Sequence, residues 1–246
     1  MFRALFYLVN LVLWTHVFGG TVIVAALLRV PYRHWGVYDR CQRAWARCLL
    51  WASGVHVTVQ GGTALRVDEA HIIASNHASF FDIMVLAGHL PVPVKYVVKK
   101  ELFVIPVFGW AIKALGHVRL DRQNLKQAFE AYDEAARIIR EQRLHVLVFP
   151  EGTRTRTGRM QAFKKGPFVL AIQCRAKVVP VYVSGTFGIL PKGRIRIHPH
   201  PVVLAIGEAL STESLNYEDR LDLAKRTEQV VRELRDRVEG FTETSA

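Results

Sequence analysis

Residues 4–28 form an apolar run of 25 residues, interrupted only by Asn10, Thr15, His16 and Thr21. As a helix it is long enough to cross a hydrocarbon core about 30 Å thick, so the chain must place it in a membrane or bury it in a large core. A cleaved signal peptide fits less well. The run is too long, Arg3 is the only charge before it, and no small-x-small site precedes Arg29. Arg29, Arg33 and His34 follow the run and favour a cytoplasmic side for what comes next. Pro31 ends the helix. Residues 35–51 then read as a second, amphipathic helix, with Trp45, Leu49 and Ala52 on one face and Arg40, Arg43 and Arg47 on another. Tryptophans beside arginines suit the lipid headgroup layer. Residues 1–53 are expected as a membrane-embedded helical hairpin that either spans or dips into one leaflet.

From residue 54 to 246 the pattern changes to short apolar runs alternating with helical stretches. Strands are expected at 55–59, 71–75, 94–98, 117–120, 146–149, 177–183, 194–198 and 202–206. Helices are expected at 79–90, 106–115, 123–143, 168–174 and 214–238. Leu125, Phe129, Tyr132, Ala136 and Ile139 mark the buried side of the third of these helices. The run 146–149 is apolar throughout, as a central strand is. The expected fold is α/β, a largely parallel mixed sheet flanked by helices and preceded by the two-helix motif.

The formal net charge is +12, the pI is about 10.0 and half of the residues are hydrophobic. Basic charge with a positive mean hydropathy of +0.15 points to an anionic membrane or a phosphorylated substrate ahead of nucleic acid. The three cysteines, Cys41, Cys48 and Cys174, have neither disulfide nor zinc spacing, and free thiols fit a reducing compartment. No metal cluster is visible, and P-loop and dinucleotide fingerprints are absent.

The chemistry concentrates at strand ends. After the strand 71–75 comes Asn76-His77-Ala78-Ser79-Phe80-Phe81-Asp82. On one continuous helix His77 and Asp82 would be about 500° apart and would diverge. They meet if the helix begins between them, and Ser79 is a candidate N-cap in a Ser-x-x-Asp box. Asp82 could then hold one imidazole nitrogen and leave the other as a base. The competing reading is a surface histidine beside an ordinary cap. After the strand 146–149 comes Pro150-Glu151-Gly152-Thr153-Arg154, in which Gly152 lets backbone approach a ligand and Arg154 can fork onto a phosphate. Arg156, Arg159, Lys164 and Lys165 follow, and Lys99, Lys100 and Arg122 close other strands. A base with converging cations suits attack by an alcohol of a substrate that carries a phosphate.

These segments resemble the motifs of the glycerolipid acyltransferases of the 1-acylglycerol-3-phosphate acyltransferase type. Asn76-His77-x-x-x-x-Asp82 is similar to the first motif, Gly116 to Arg122 to the second, Phe149 to Arg154 to the third, and Val178-Val179-Pro180-Val181 to the fourth. Lys99-Lys100-Glu101-Leu102 and Phe163-Lys164-Lys165-Gly166 also read like family segments, and the likeness covers roughly residues 50–210. It implies that His77 takes the proton of the sn-2 hydroxyl of lysophosphatidate while Asp82 orients it. The alkoxide then attacks an acyl thioester, with acyl-CoA or acyl carrier protein as co-substrate and no other cofactor. It further implies that Arg122, Arg154 and one of Lys99 or Lys100 hold the phosphate. Glu151, Gly152 and Thr153 join the same phosphate-binding set, with Glu151 orienting the glycerol backbone or the loop, and Lys164 and Asn76 are additional candidates. An inner-membrane enzyme facing the cytoplasm is expected, with the bilayer, lysophosphatidate and the acyl donor as partners and no nucleic acid.

Three alternatives compete with this. The first keeps the chemistry and replaces the acceptor by another lysolipid, lyso-ornithine lipid or a lysophospholipid. A serine esterase requires a Gly-x-Ser-x-Gly elbow, which Val183-Ser184-Gly185 does not supply. A non-enzymatic basic membrane-binding protein accounts for the charge but not for the His-x4-Asp and Glu-Gly-Thr-Arg sequences.

Overall fold

The computed structural model describes residues 2–120 and 136–244. Two long helices come first, α1 (Phe2–Leu27) and α2 (Val37–Ser53), then β1 (Val57–Gly61) and β2 (His71–Ser75). Next are α3 (Phe81–His89), β3 (Lys95–Lys99), a 3-10 turn at Lys100–Val104, α4 (Phe108–Ala114) and β4 (Val118–Leu120). After helical residues 136–141 (α5) come β5 (His145–Val148), α6 (Gly166–Gln173), β6 (Lys177–Ser184), α7 (Thr186–Ile189), β7 (Val202–Ile206) and α8 (Arg220–Thr244). The seven strands form one mixed sheet in the order β1-β7-β6-β2-β5-β3-β4. Every neighbouring pair is parallel except β6 and β7.

β2 lies between β5 and β6, and all five of its residues are buried. Its alternation sends Ile73 to one face and Ile72 and Ala74 to the other. The Ile73 face packs with Leu147 and Val181 against Leu49, Leu50, Phe81 and Met84 of α2 and α3. The opposite face packs with Val146 and Val178 against Phe168 of α6 and Leu223 and Val231 of α8. Because β2, β3 and β5 run parallel, their carboxyl ends open at one end of the sheet, where α/β proteins bind ligands.

Several local expectations change. Arg43 and Arg47 of α2 do not form a free headgroup-facing row. They donate to the carbonyls of Leu90 and Gly88 at 2.8 and 2.9 Å, satisfying acceptors at the carboxyl end of α3. The helix expected at 106–115 starts at Phe108 behind the 3-10 turn, and the one expected at 214–238 starts at Arg220, after a capping box closed by Asn216 and Asp219. Residues 194–198 are not a strand. Their alternation suits one, but only Ile197 reaches the core, and Ile195 is 91% exposed. Of the helix expected at 123–143, only 136–141 falls among the described residues; Ala136 and Ile139 are buried there, while Leu125, Phe129 and Tyr132 lie outside.

α2 is locked to β3 by a buried ion pair, Lys95 Nζ to Asp39 Oδ1 at 2.9 Å, with the Tyr32 hydroxyl and the Trp35 amide donating to Oδ2. At the amino end of the sheet His71 and His145 share a 3.1 Å contact between their Nδ1 atoms. His34, Glu69, Lys95 and Lys177 surround them. Burial, reinforced by the neighbouring positive charges, pushes His145 down to about 3, and burial lowers His71 as well. His145 is therefore neutral in the fold but takes up a proton on unfolding below about pH 6.5, and His71 is shifted the same way. The sign follows: stability falls as pH drops from 6.5 toward 3, by up to about 1.4 kcal/mol per pH unit for His145, and His71 acts in the same direction. The thermal midpoint in detergent is expected to fall steadily on acidification from pH 7, and His145→Gln to give a shallower slope. Equal slopes would remove this pair as a cause.

Candidate active site

β2 delivers Asn76 and His77 at its carboxyl end, and two fixed points hold them there. The Asn76 side chain donates to the Val183 carbonyl at 3.0 Å and accepts from the Val183 amide at 2.8 Å, pinning the chain to β6. The His77 carbonyl accepts from the Thr155 amide at 3.0 Å, while its amide donates to Glu151 Oε1 at 2.8 Å. The chain then turns into α3. Its first turn carries Asp82, whose side chain is wholly buried.

His77 Nδ1 lies 2.8 Å from Asp82 Oδ2. The same oxygen accepts from the Ala78 and Ser79 amides at 2.8 and 2.9 Å, and Oδ1 accepts from the Thr186 hydroxyl. A group ringed by donors in this way acts as an acceptor, so it holds the tautomer of His77 that carries its proton on Nδ1. Nε2 is left with a free lone pair. The His77 ring stacks on Phe149, with centroids 3.8 Å apart and planes at 11°, and its side chain keeps 15% exposure. It is thus both fixed and reachable. Ser79 is not the helix cap: Phe80 occupies that place, and the Ser79 hydroxyl donates to the Leu190 carbonyl at 2.8 Å. The reciprocal half of the expected box survives in the Asp82 bond to the Ser79 amide, and the Ser79 hydroxyl accepts from the Phe81 amide at 3.3 Å.

Glu151 is only 2% exposed and spends its carboxylate on the protein. Oε1 takes the His77 amide, and Oε2 takes the Gln161 amide and side chain at 3.0 and 3.2 Å. Burial raises its pKa, and these hydrogen bonds oppose the rise. Glu151 thus ties the loop after β5 to the base. Gly152 has φ +74° and leaves room that the Lys164 ammonium fills; a Cβ there would stand 3.0 Å from Nζ. The Thr153 hydroxyl accepts from Lys192 Nζ at 2.9 Å, and Arg154 beside it is half-exposed. Lys164 and Lys192 therefore lie against the loop that carries Arg154 and that bonds His77 through Glu151 and Thr155. Lys99 ends β3 and Lys100 opens the 3-10 turn, at the same end of the sheet. Arg122 lies outside the described residues. A cavity of about 240 Å³ opens beside His77, lined also by Glu151, Thr155, Arg159, Tyr182 and Arg235.

Thr186 and Lys192 were not anticipated. Thr186 follows the turn at Gly185, and no spacing relates it to Asp82 from 104 residues away. Lys192 had a signal, being a basic residue in the stretch that follows the apolar strand 177–183. Thr186→Val keeps shape but strips the donor from a buried carboxylate, and kcat is expected to fall about tenfold, since hydrogen bonds to charged groups contribute about 1.5–3 kcal/mol. Thr186→Ser should restore most of it. A Thr186→Val enzyme with unchanged kcat would make the residue a packing element.

Three comparisons bear on this site. The family model described as Acyltransferase matches residues 56–184, more than half of the chain. The 1-acyl-sn-glycerol-3-phosphate acyltransferase of Cocos nucifera is 32% identical over 192 residues, covering 78% of this chain and 62% of that protein. Its namesake from Limnanthes douglasii is 32% identical over 212 residues, covering 86% of this chain and 74% of its own. The crystal structure of the 1-acyl-sn-glycerophosphate acyltransferase PlsC from Thermotoga maritima superposes with a TM-score of 0.81 at 26% identity, covering 96% of this chain and 94% of that one.

Proposed function

This chain belongs to the acyltransferase family, and from that premise we propose that it moves a fatty acyl group from an acyl thioester to the sn-2 hydroxyl of 1-acylglycerol-3-phosphate, forming phosphatidate. The observation that carries the reading is the His77–Asp82 pair at the end of β2, with cations gathered beside it. His77 Nε2 removes the hydroxyl proton as the oxygen attacks the thioester carbonyl. The developing imidazolium is held by Asp82. The tetrahedral intermediate collapses, the carbon–sulfur bond breaks, and the imidazolium returns the proton to the leaving thiolate of CoA or acyl carrier protein. Transfer is direct. Ser79, the hydroxyl nearest in the motif, is buried and committed to Leu190; Cys41 and Cys48 sit on α2, and Cys174 is buried beyond α6. Arg154, Lys164 and Lys192 neutralise the acceptor phosphate, with Lys99 and Lys100 at a neighbouring strand end.

The acceptor comes from a membrane. α1 is long and apolar enough to cross one, with a mean hydropathy of 1.8 over Ala4–Leu27. It is nonetheless held along its length. The Tyr7 hydroxyl donates to Met84 Sδ at 3.3 Å, Trp45 Nε1 donates to the Thr15 hydroxyl at 3.1 Å, and Gly19 meets Ala111 of α4 closely. Its outward side chains Leu5, Leu8, Val9, Val12 and Leu13, with Trp51, Val104 and Trp110 from neighbouring elements, are exposed. These contacts favour a helix lying within one leaflet, and Arg29, Arg33 and His34 after it favour an α/β domain on the cytoplasmic side of an inner membrane.

The test is phosphatidate formation by the purified chain in lipid vesicles, with acyl-CoA and acyl carrier protein donors compared and other lysolipids as rival acceptors. Acylation of another lysolipid without acylation of lysophosphatidate would transfer the same chemistry to that acceptor and overturn this reading.

A further inference from the structure

We propose that the loop between α7 and β7 is a second membrane contact, which seats on an anionic lipid surface and in doing so sets the position of the loop that carries Arg154. The proposal rests on the reading that the acceptor is taken from a bilayer. The base of the loop is closed: the His198 amide donates to the Ile189 carbonyl at 3.0 Å, and Ile189 and Ile197 are both buried in the core beneath α2 and α3. Its tip is a turn, with the Arg194 amide bonded to the Pro191 carbonyl at 3.1 Å and Gly193 at φ +86°. Beyond the turn, Arg194, Ile195 and Arg196 face solvent, and the 91% exposure of Ile195 is the highest of any large hydrophobic residue among those described.

An isoleucine at a loop tip between two arginines has the chemistry of an interfacial anchor: an apolar group for the acyl boundary and two guanidinium groups for phosphates. Its location agrees. Pro199, just past the tip, packs against Gly54 at the end of α2, 3.7 Å from where a Cβ would stand. Three residues earlier on α2, Trp51 is 69% exposed and meets Phe6 of α1 edge-on, with ring centroids 6.2 Å apart. The tip therefore emerges beside the apolar strip of α1. Charge alone would also suit an acidic protein, but that partner gives no use to the exposed isoleucine next to this strip.

The same segment reaches the site. The Leu190 carbonyl takes the Ser79 hydroxyl, and Lys192 Nζ donates to the Thr153 hydroxyl at 2.9 Å and approaches the Arg154 carbonyl at 3.5 Å. Seating Ile195 in lipid fixes Lys192, and through it Thr153 and Arg154, where a lysolipid phosphate lies at the headgroup level.

The test uses the full chain in phosphatidylcholine vesicles with and without phosphatidylglycerol. An environment-sensitive fluorophore on Ile195→Cys, with Cys41→Ser, Cys48→Ser and Cys174→Ala, should shift to the blue and be quenched by lipid-borne nitroxides, more strongly with the anionic lipid. Ile195→Asp should raise KM for vesicle-presented lysophosphatidate about tenfold, the scale set by returning one isoleucine to water. It should leave kinetics with a short-chain, monomeric acceptor unchanged. A fluorophore that stays aqueous overturns the contact, and insertion without a KM change overturns the coupling. Loss confined to acyl carrier protein as donor in Arg194→Ala or Arg196→Ala assigns the loop to an acidic protein instead. If the wild type acylates no lysophosphatidate, the functional reading fails, while the fluorophore still decides the contact.

Discussion

Replacing His77 by alanine lowers kcat/KM for acyl transfer to lysophosphatidate by about a thousandfold, within the range that a positioned base contributes. The loss belongs to chemistry rather than folding. His77 contributes one stacked ring at the edge of the core, and without it Asp82 keeps the Ala78 and Ser79 amides and the Thr186 hydroxyl as donors. The variant should therefore melt close to the wild type while failing to turn over. Circular dichroism and the acylation rate, measured on one preparation, separate the two.

Asp82→Asn is expected to lower kcat on the order of a hundredfold to a thousandfold, because the orienting charge is lost and the amide can hold the wrong imidazole tautomer. The amide oxygen can still accept from the Ala78 and Ser79 amides, and its nitrogen can donate to Thr186, so the start of α3 survives. Asp82→Ala differs. It strands those donors in a site with no solvent, at about 1–3 kcal/mol for each buried group left unpaired. Asp82→Asn should thus be stable and slow, and Asp82→Ala both unstable and slow. A stable, fast Asp82→Asn enzyme would reduce Asp82 to a helix cap.

Much of this site was legible from residue type and position. His77, Asp82, Glu151 and Arg154 announce themselves as polar groups where apolar strands stop, and the α/β alternation places strand ends together. The apolar run of α1 was equally plain. What could not be read was the direction of side chains across long separations. The Glu151 carboxylate turns inward to the amides of His77, 74 residues away, and of Gln161. Arg43 and Arg47 looked like headgroup contacts on a helical wheel, yet tertiary packing turned them onto the carbonyls at the end of α3. Thr186 reaches Asp82 only because β6 runs beside β2, a pairing no local pattern encodes. The alternation at 194–198 imitated a strand because Ile197 seeks the core, while Ile195 stands in the open.

The central claim is that His77 and Asp82 act as one unit in acylating lysophosphatidate. A double-mutant cycle on phosphatidate formation tests it most directly, comparing wild type, His77→Ala, Asp82→Asn and the double variant in the same vesicles. Groups that act as a unit are non-additive. The expected result is a wild type that forms phosphatidate and a double variant no slower than His77→Ala alone. A double variant slower by the product of the two single losses, or a wild type that forms no phosphatidate, would contradict it.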